Sequence, residues 1–375
     1  MQEGATPAAW LGTTGPEESS DGSGVRQRRA GPSRADAARD APHRPARPTS
    51  LGAKLLDYFL EWAAVGIYVT GIYVSGLLLP LALMALWFLG PASLAGWTLL
   101  CLFLFLTFVP LPLITGAHSD RFIRFSVRRA VAYFPLRLEV ADPAAFRPDT
   151  PYVFGFCPHS ALPLALPITF ASCSELLPPE LRGRTHGLAS SVCFSAPIVR
   201  QLWWWLGIRP ATRQAMEGLL RQGRVAVLTP GGVQEVLHMQ HGKEVAYLGP
   251  RTGFVRIAIR CGAPLVPVFA FGQTRTYSWL RPGPPFCPEW LVQAISRTAG
   301  AVPVLMYGAC GTPMPHREPM AVVIGKPIPV PELAEGEEPS SEVVEGLLRR
   351  FKQELQVLYD THKAQYGRGE ELIII

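Results

Sequence analysis

The sequence predicts an α/β domain, a sheet covered by helices, behind an N-terminal transmembrane helical hairpin. Three observations predict it. Trp62 to Ala117 contains no Asp, Glu, Lys, Arg or His, a longer uncharged run than a soluble core needs. Beyond Ser119, short apolar runs alternate with helix-like stretches, which implies a sheet buried on both faces. Charged residues are only 17 % of the 375, against about 25 % in an average soluble chain, and mean hydropathy is +0.18, so a membrane has to be considered first.

Residues 1–50 are rich in Ala, Pro, Gly, Ser and Arg, with seven Arg nearly balanced by six acids. Such a segment buries too little apolar area to offset its ordering entropy, and we expect a disordered tail. Glu17, Glu18 and Asp21 speak against an organelle transit peptide.

Residues 51–118 hold the apolar run, long enough for two spans of about 20 residues. Gly90, Pro91 and Ser93 break it, so the expected spans are Ala63 to Leu89 and Leu94 to Ile114, with Trp62, Trp87 and Trp97 as interfacial anchors. Arg44, Arg47 and Lys54 precede the pair and Arg121, Arg124, Arg128 and Arg129 follow it. Two basic flanks put both on the cytosolic side. A pair that dips into one leaflet and a buried core pair are the competing readings.

Residues 119–366 read as the α/β domain. Strands are expected at Tyr152 to Phe156, Val225 to Leu228, Leu265 to Phe271, Val302 to Tyr307 and Met320 to Ile324, and helices at Ser195 to Leu206, Thr212 to Gln222 and Gly253 to Cys261. Val344, Leu347, Leu348, Phe351, Leu355 and Leu358 recur at three- and four-residue spacing after Ser341, an amphipathic helix packed on the domain. Residues 367–375 are left as a C-terminal tail too short to span.

The formal charge of +6 is not gathered into a basic, aromatic-interleaved block, so no nucleic-acid partner is expected. Mild basicity suits an anionic lipid surface or a phosphate-bearing ligand. Seven cysteines, an odd number without a CxxC pair, read as reduced thiols facing the cytosol.

Three stretches can carry chemistry. In Val153 to Ser160 a buried strand runs through Cys157 and Pro158 into His159, and strand ends of open α/β sheets are where catalytic groups are held rigidly. Imidazole can take a proton near neutral pH; a hydrogen-bonded structural histidine is the bland alternative. In Leu228 to Glu235 another strand meets Pro230, Gly231 and Gly232, where the backbone can approach a ligand closely, and Glu235 follows. Ordinary turn and capping chemistry produces the same pattern. In Arg251 to Arg256, cations beside a Gly turn, with Lys243 close in sequence, form a phosphate clamp or a solvated helix face.

The order Tyr133-Phe134-Pro135, Phe154 to Ser160, Pro230-Gly231-Gly232-Val233-Gln234-Glu235, Arg251-Thr252-Gly253-Phe254 and Leu265-Val266-Pro267-Val268 resembles the type 2 diacylglycerol acyltransferase family, which includes monoacylglycerol and wax-alcohol acyltransferases. The Pro-His-Ser and Gly-Gly-Val-Gln-Glu forms are similar to its plant and algal branch. The resemblance runs from the hairpin to near Gln365.

It implies a glycerolipid-acyltransferase-like sheet and an integral endoplasmic-reticulum membrane enzyme, catalytic domain facing the cytosol, with lipid droplets a second address. The implied reaction moves a fatty acyl group from acyl-CoA to diacylglycerol, forming triacylglycerol, with acyl-CoA as co-substrate and neither metal nor other cofactor. His159 is implied as the catalytic base, with Glu235 to orient the imidazole or the acceptor. Pro158, Ser160, Gly231, Gly232, Lys243, Arg251, Gly253 and Phe254 are implied at the substrates. Backbone amides near Gly231 and Gly232 are expected to meet the oxyanion, and Arg251 and Lys243 the CoA phosphates. The bilayer is the lipid partner, and homo-oligomerisation is left open.

Cys157 stands where the animal branch has His and plants often Glu. It is either a buried hydrophobe or an acyl-accepting thiol. Ser160 is a weaker nucleophile candidate. The more distant glycerophosphate acyltransferases carry an Asp five positions after the His, which here is Leu164, so the orienting acid must come from elsewhere. His186, His238 and His241 are fallback bases. Monoacylglycerol or a long-chain alcohol as acceptor, and a catalytically silent membrane or lipid-droplet scaffold, are the rival functions.

Overall fold

The computed structural model describes residues 50–375 apart from 250, 282–287, 289, 293, 295–303 and 335–336. The expectation of a disordered tail therefore lies, Ser50 excepted, outside the described residues.

Apolar composition and an N-cap at Ser50, whose Oγ accepts from Ala53 N, start helix α1, Leu51–Leu89. With 39 residues it is long and apolar enough to cross a membrane, and only 17 % of its most apolar window is buried. Gly90 ends it at φ +80°, and helix α2, Leu94–Phe108, turns back against it, with Gly96 lying where a Cβ would meet the Leu86 side chain at 2.7 Å.

The expected second span, Leu94 to Ile114, is corrected here. Pro110 cannot donate the next helical hydrogen bond, so α2 ends after 15 residues and Leu111–Ile114 form a 3₁₀ turn. A helix of that length is about 22 Å long at 1.5 Å per residue, short of a hydrocarbon core of about 30 Å. One helix of spanning length is present among the described residues, and a spanning hairpin is not shown. The carbonyls at the end of α2 go to helix α5, Val199–Trp205: Arg200 donates to Leu106 O and Val109 O at 3.1 and 3.0 Å, and Gln201 to Leu106 O at 2.5 Å.

Helix α3, Ala117–Tyr133, holds the N-terminal half of α1. Tyr68 Oη and Ser126 Oγ are 2.8 Å apart, and Arg129 pairs with Asp57 at 2.7 Å. Arg128 pairs with Glu175 at 2.6 Å, so two of the arginines that follow the apolar run are held in ion pairs.

The domain is built on a seven-stranded sheet in the order β1-β10-β7-β2-β5-β3-β4. Its strands are β1 (Arg137–Val140), β2 (Tyr152–Cys157), β3 (Thr185–Ala189), β4 (Arg209–Pro210), β5 (Val225–Leu228), β7 (Leu265–Phe271) and β10 (Ala321–Ile324). All neighbours run parallel except β10 and β7.

β2 lies at the centre and is buried at all six positions. Alternation sends Tyr152, Phe154 and Phe156 into one core, shared with α3 and helix α4 (Ala165–Thr169), and Val153 and Cys157 into the other, shared with helices α6 (Arg213–Arg221), α8 (Gly253–Arg260) and α9 (Ser341–Tyr366). At Gly155 the α9 side chains come close: a Cβ there would lie 2.4 Å from Phe351 Cζ. Helices on both faces match the expected layering.

Expected helix Ser195 to Leu206 begins only at Val199, since Pro197 and the positive φ of Ile198, 68°, delay it. Of Val302 to Tyr307, Leu305–Tyr307 form strand β9, which pairs antiparallel with β8, Ser278–Leu280; residues 302 and 303 lie outside the described set. The tail expected at 367–375 is corrected too. Glu371–Ile374 form strand β11, parallel to β6 (Lys243–Ala246), because β6 offers an open edge and Leu372 finds apolar cover.

Candidate active site

The parallel trio β7-β2-β5 brings three chain segments to one edge of the sheet. Parallel neighbours end on the same side, so the loops after their C-terminal ends meet there: Gly272 and Gln273 after β7, Pro158 to Ser160 after β2, and Thr229 to Glu235 after β5.

His159 stands where β2 stops, half-buried, after a cis peptide bond between Cys157 and Pro158. Its Nδ1 is 2.8 Å from Ser160 O. A carbonyl oxygen can only accept, so Nδ1 carries the proton and Nε2 is left as the free acceptor in the neutral ring. Burial pulls its pKa below the ordinary 6.5, with the Ser160 carbonyl opposing.

Glu235 lies on helix α7, Gly232–Val236, and is 1 % exposed. The sequence suggests that its carboxyl orients the imidazole or the acceptor; here Oε1 accepts from the main-chain N–H of His159, and Oε2 from Tyr247 N at 2.8 Å. Two N–H donors already use the carboxyl, so it holds the loop rather than the ring. Burial pushes its pKa up to about 7, against the pull of those two N–H groups and of Arg251. Gly231 makes room for it, since a Cβ there would lie 2.2 Å from Oε2.

The other expected site residues divide. Gly232 has φ +55°, but its N–H goes to Thr229 O at 3.0 Å, so it is not an open oxyanion donor. Arg251 donates to Gly231 O at 3.1 Å and lies over the Tyr247 ring at 5.4 Å, tying the Gly-Gly loop down rather than facing solvent as a clamp. Phe254, expected at the substrate, is corrected to a core residue, packed edge-on against Phe351 at 5.6 Å. Gly253 opens α8 with free space around it. Lys243 pairs with Glu371 at 3.3 Å on the surface.

Ser160 is buried at φ +60°, and its Oγ is 3.5 Å from Gln273 O. Cys157 points into the core on the α9 side, where burial holds its thiol well above the usual range; a thiolate nucleophile is disfavoured there. His186 Nδ1 donates to Gly207 O, 2.8 Å away, and His238 and His241 stack on Tyr247 and Trp279 at 4.5 and 4.1 Å. Among the described residues no group of three His, Cys, Asp or Glu side chains is set to hold a metal ion.

A cavity of about 420 Å³ opens beside this edge, lined by Pro158, Ser160, Lys243, Thr274, Arg275 and Trp279 among others. Sequence reasoning missed Gln273, Thr274 and Arg275: a Gly-Gln-Thr-Arg run has no motif signal, and only the strand order carries it to the site.

Residues 92–375 match the family model described as diacylglycerol acyltransferase. The chain belongs to the diacylglycerol acyltransferase family. It is 31 % identical over 253 residues to the mouse protein named diacylglycerol O-acyltransferase 2-like protein 6, covering 63 % of this chain and 72 % of that one. Diacylglycerol O-acyltransferase 2B of Umbelopsis ramanniana is 31 % identical over 253 residues, covering 63 and 70 %. Human diacylglycerol O-acyltransferase 2 is 26 % identical over 253 residues, covering 64 % of each chain. Among solved structures, the 1-acyl-sn-glycerophosphate (LPA) acyltransferase of Thermotoga maritima aligns with a TM-score of 0.39 at 13 % identity, over 80 % of this chain and 99 % of its own. Membership of this family and a helix of spanning length together make this a membrane-associated acyltransferase-family protein.

Proposed function

We propose that this protein transfers a fatty acyl group from acyl-CoA to the free hydroxyl of diacylglycerol, forming triacylglycerol, at the endoplasmic-reticulum membrane with its catalytic domain on the cytosolic side. The observation that carries the reading is His159: in a chain of the diacylglycerol acyltransferase family, a ring whose Nδ1 is tied to Ser160 O has Nε2 free at the end of the central strand.

In the proposed reaction the acceptor oxygen attacks the thioester carbonyl carbon while Nε2 of His159 takes the hydroxyl proton. The tetrahedral intermediate then collapses by breaking the carbon–sulfur bond, and the departing CoA sulfur takes that proton back. A general base contributes about 10² to 10⁴ in rate. The lowered pKa of His159 keeps the ring in its basic form at neutral pH. Glu235 acts through the main chain, fixing where the loop presents the ring. The apolar α1 and α2 supply a path for a water-insoluble acceptor to arrive from the bilayer. The chemistry calls for no cofactor beyond acyl-CoA as co-substrate, because a thioester is already activated.

The test is expression in cells that lack their own triacylglycerol synthesis, followed by lipid profiling and a microsomal assay with labelled acyl-CoA. Appearance of triacylglycerol supports the reading. Labelled product from monoacylglycerol or a long-chain alcohol alone replaces the acceptor, and no acyl transfer at all leaves the scaffold.

A further inference from the structure

We propose that Gln273 is the positioning residue of the His159 loop, clamping both ends of the 158–165 segment from the neighbouring strand. The inference rests on the acyl-transfer reading above and deepens it by naming what holds the base in place.

The clamp begins with a turn. Gly272 leaves β7 at φ +83°, and a Cβ there would lie 2.3 Å from Pro319 O, so only glycine allows this exit. The next residue, Gln273, is fully buried. Its Nε2 donates to Pro158 O at 2.5 Å, just before His159, and its Oε1 accepts from Ala165 N at 3.0 Å, where α4 starts. Its main-chain carbonyl accepts from Thr276 Oγ1 at 2.7 Å and faces Ser160 Oγ at 3.5 Å.

A primary amide suits this place because one end must donate and the other must accept. With the carboxyl of Glu235 on His159 N from the β5 side, the loop is gripped from both neighbouring strands. A loop so held keeps Nε2 in one place, and an error of about 1 Å in a reacting group can cost about 10²-fold in rate.

The experiment compares wild type, Gln273→Leu, Gln273→Glu and His159→Ala in microsomes, measuring kcat and KM for acyl-CoA and diacylglycerol between pH 5.5 and 8.5, with limited proteolysis to check folding. Gln273→Leu should lose at least ~10-fold in kcat with KM changed less than threefold, since positioning and not binding is removed.

Gln273→Glu retains the acceptor for Ala165 N but restores the donor to Pro158 O only when protonated. Its kcat relative to wild type should therefore be highest at the acid end and fall as pH rises. The ratio removes the pH dependence the two proteins share, from His159 and Glu235 at this loop and from Glu244, bonded to Thr274 beside Gln273.

A folded Gln273→Leu with wild-type kcat overturns the proposal, as does a pH-independent ratio for Gln273→Glu where Gln273→Leu fails to fold. Wild type without acyl transfer, or His159→Ala with wild-type kcat, overturns the reading beneath it instead. Wild type active, His159→Ala inactive and Gln273→Leu normal removes this inference alone.

Discussion

The carboxyl of Glu235 takes the main-chain N–H of His159 and leaves the imidazole to the carbonyl of Ser160. The carboxyl, from helix α7, and the imidazole, from the loop after β2, meet without a hydrogen bond between the two side chains, so they do different work. Glu235 sets where the ring stands, and Ser160 sets which nitrogen is basic.

His159→Ala should lower kcat for acyl transfer in microsomes by at least ~10², about 2.7 kcal/mol in barrier. Near-normal turnover in that variant would remove His159 from the reaction.

Because burial lowers the His159 pKa, the wild-type rate should hold through neutral pH and decline only below the ordinary imidazole value of 6.5. The unfolded chain takes up this proton first, so the same group withdraws stability as pH falls below 6.5. An acid limb with its midpoint above 6.5 in the kcat profile contradicts this.

Glu235 titrates in the opposite sense. Its folded pKa, about 7, lies above the unfolded 4.5, so its contribution is fully present below pH 4.5 and is lost as pH rises through about 7. Thermal unfolding in detergent should show wild-type Tm falling relative to Glu235→Gln between pH 5 and 8. A difference constant across that range refutes the assignment.

Gly231→Ala places a Cβ 2.2 Å from Glu235 Oε2 and must displace the carboxyl from His159 N and Tyr247 N. We expect kcat to drop by at least ~10-fold, given how steeply rate depends on the placement of a reacting group. Full activity in this variant shows that the carboxyl can move without consequence.

Gly155→Ala tests the sheet beneath the site. Its Cβ would lie 2.4 Å from Phe351 Cζ, an overpacking expected to cost about 1 to 3 kcal/mol of stability. Thermal denaturation measures it, and an unchanged Tm means that α9 shifts freely.

Periodicity determined much of this protein. The uncharged run from Trp62, the continuous strands at β2, β5 and β7, and the heptad-like stripe of α9 announce themselves because burial selects apolar residues at fixed spacing. His159 and Glu235 were legible as motif residues, and the family with them. Short strands such as β3 and β6, and the terminal β11, were not, because four or five residues are too few to display a period of their own. The length of α2 turned on Pro110 and on carbonyls received by Arg200 and Gln201, a partner distant in sequence. Only the tertiary structure decided that Glu235 binds the backbone of His159 and that Gln273 reaches Pro158, for a physical reason: parallel strand order brings loops 76 and 115 residues apart to one edge, and no local pattern encodes which strands become neighbours.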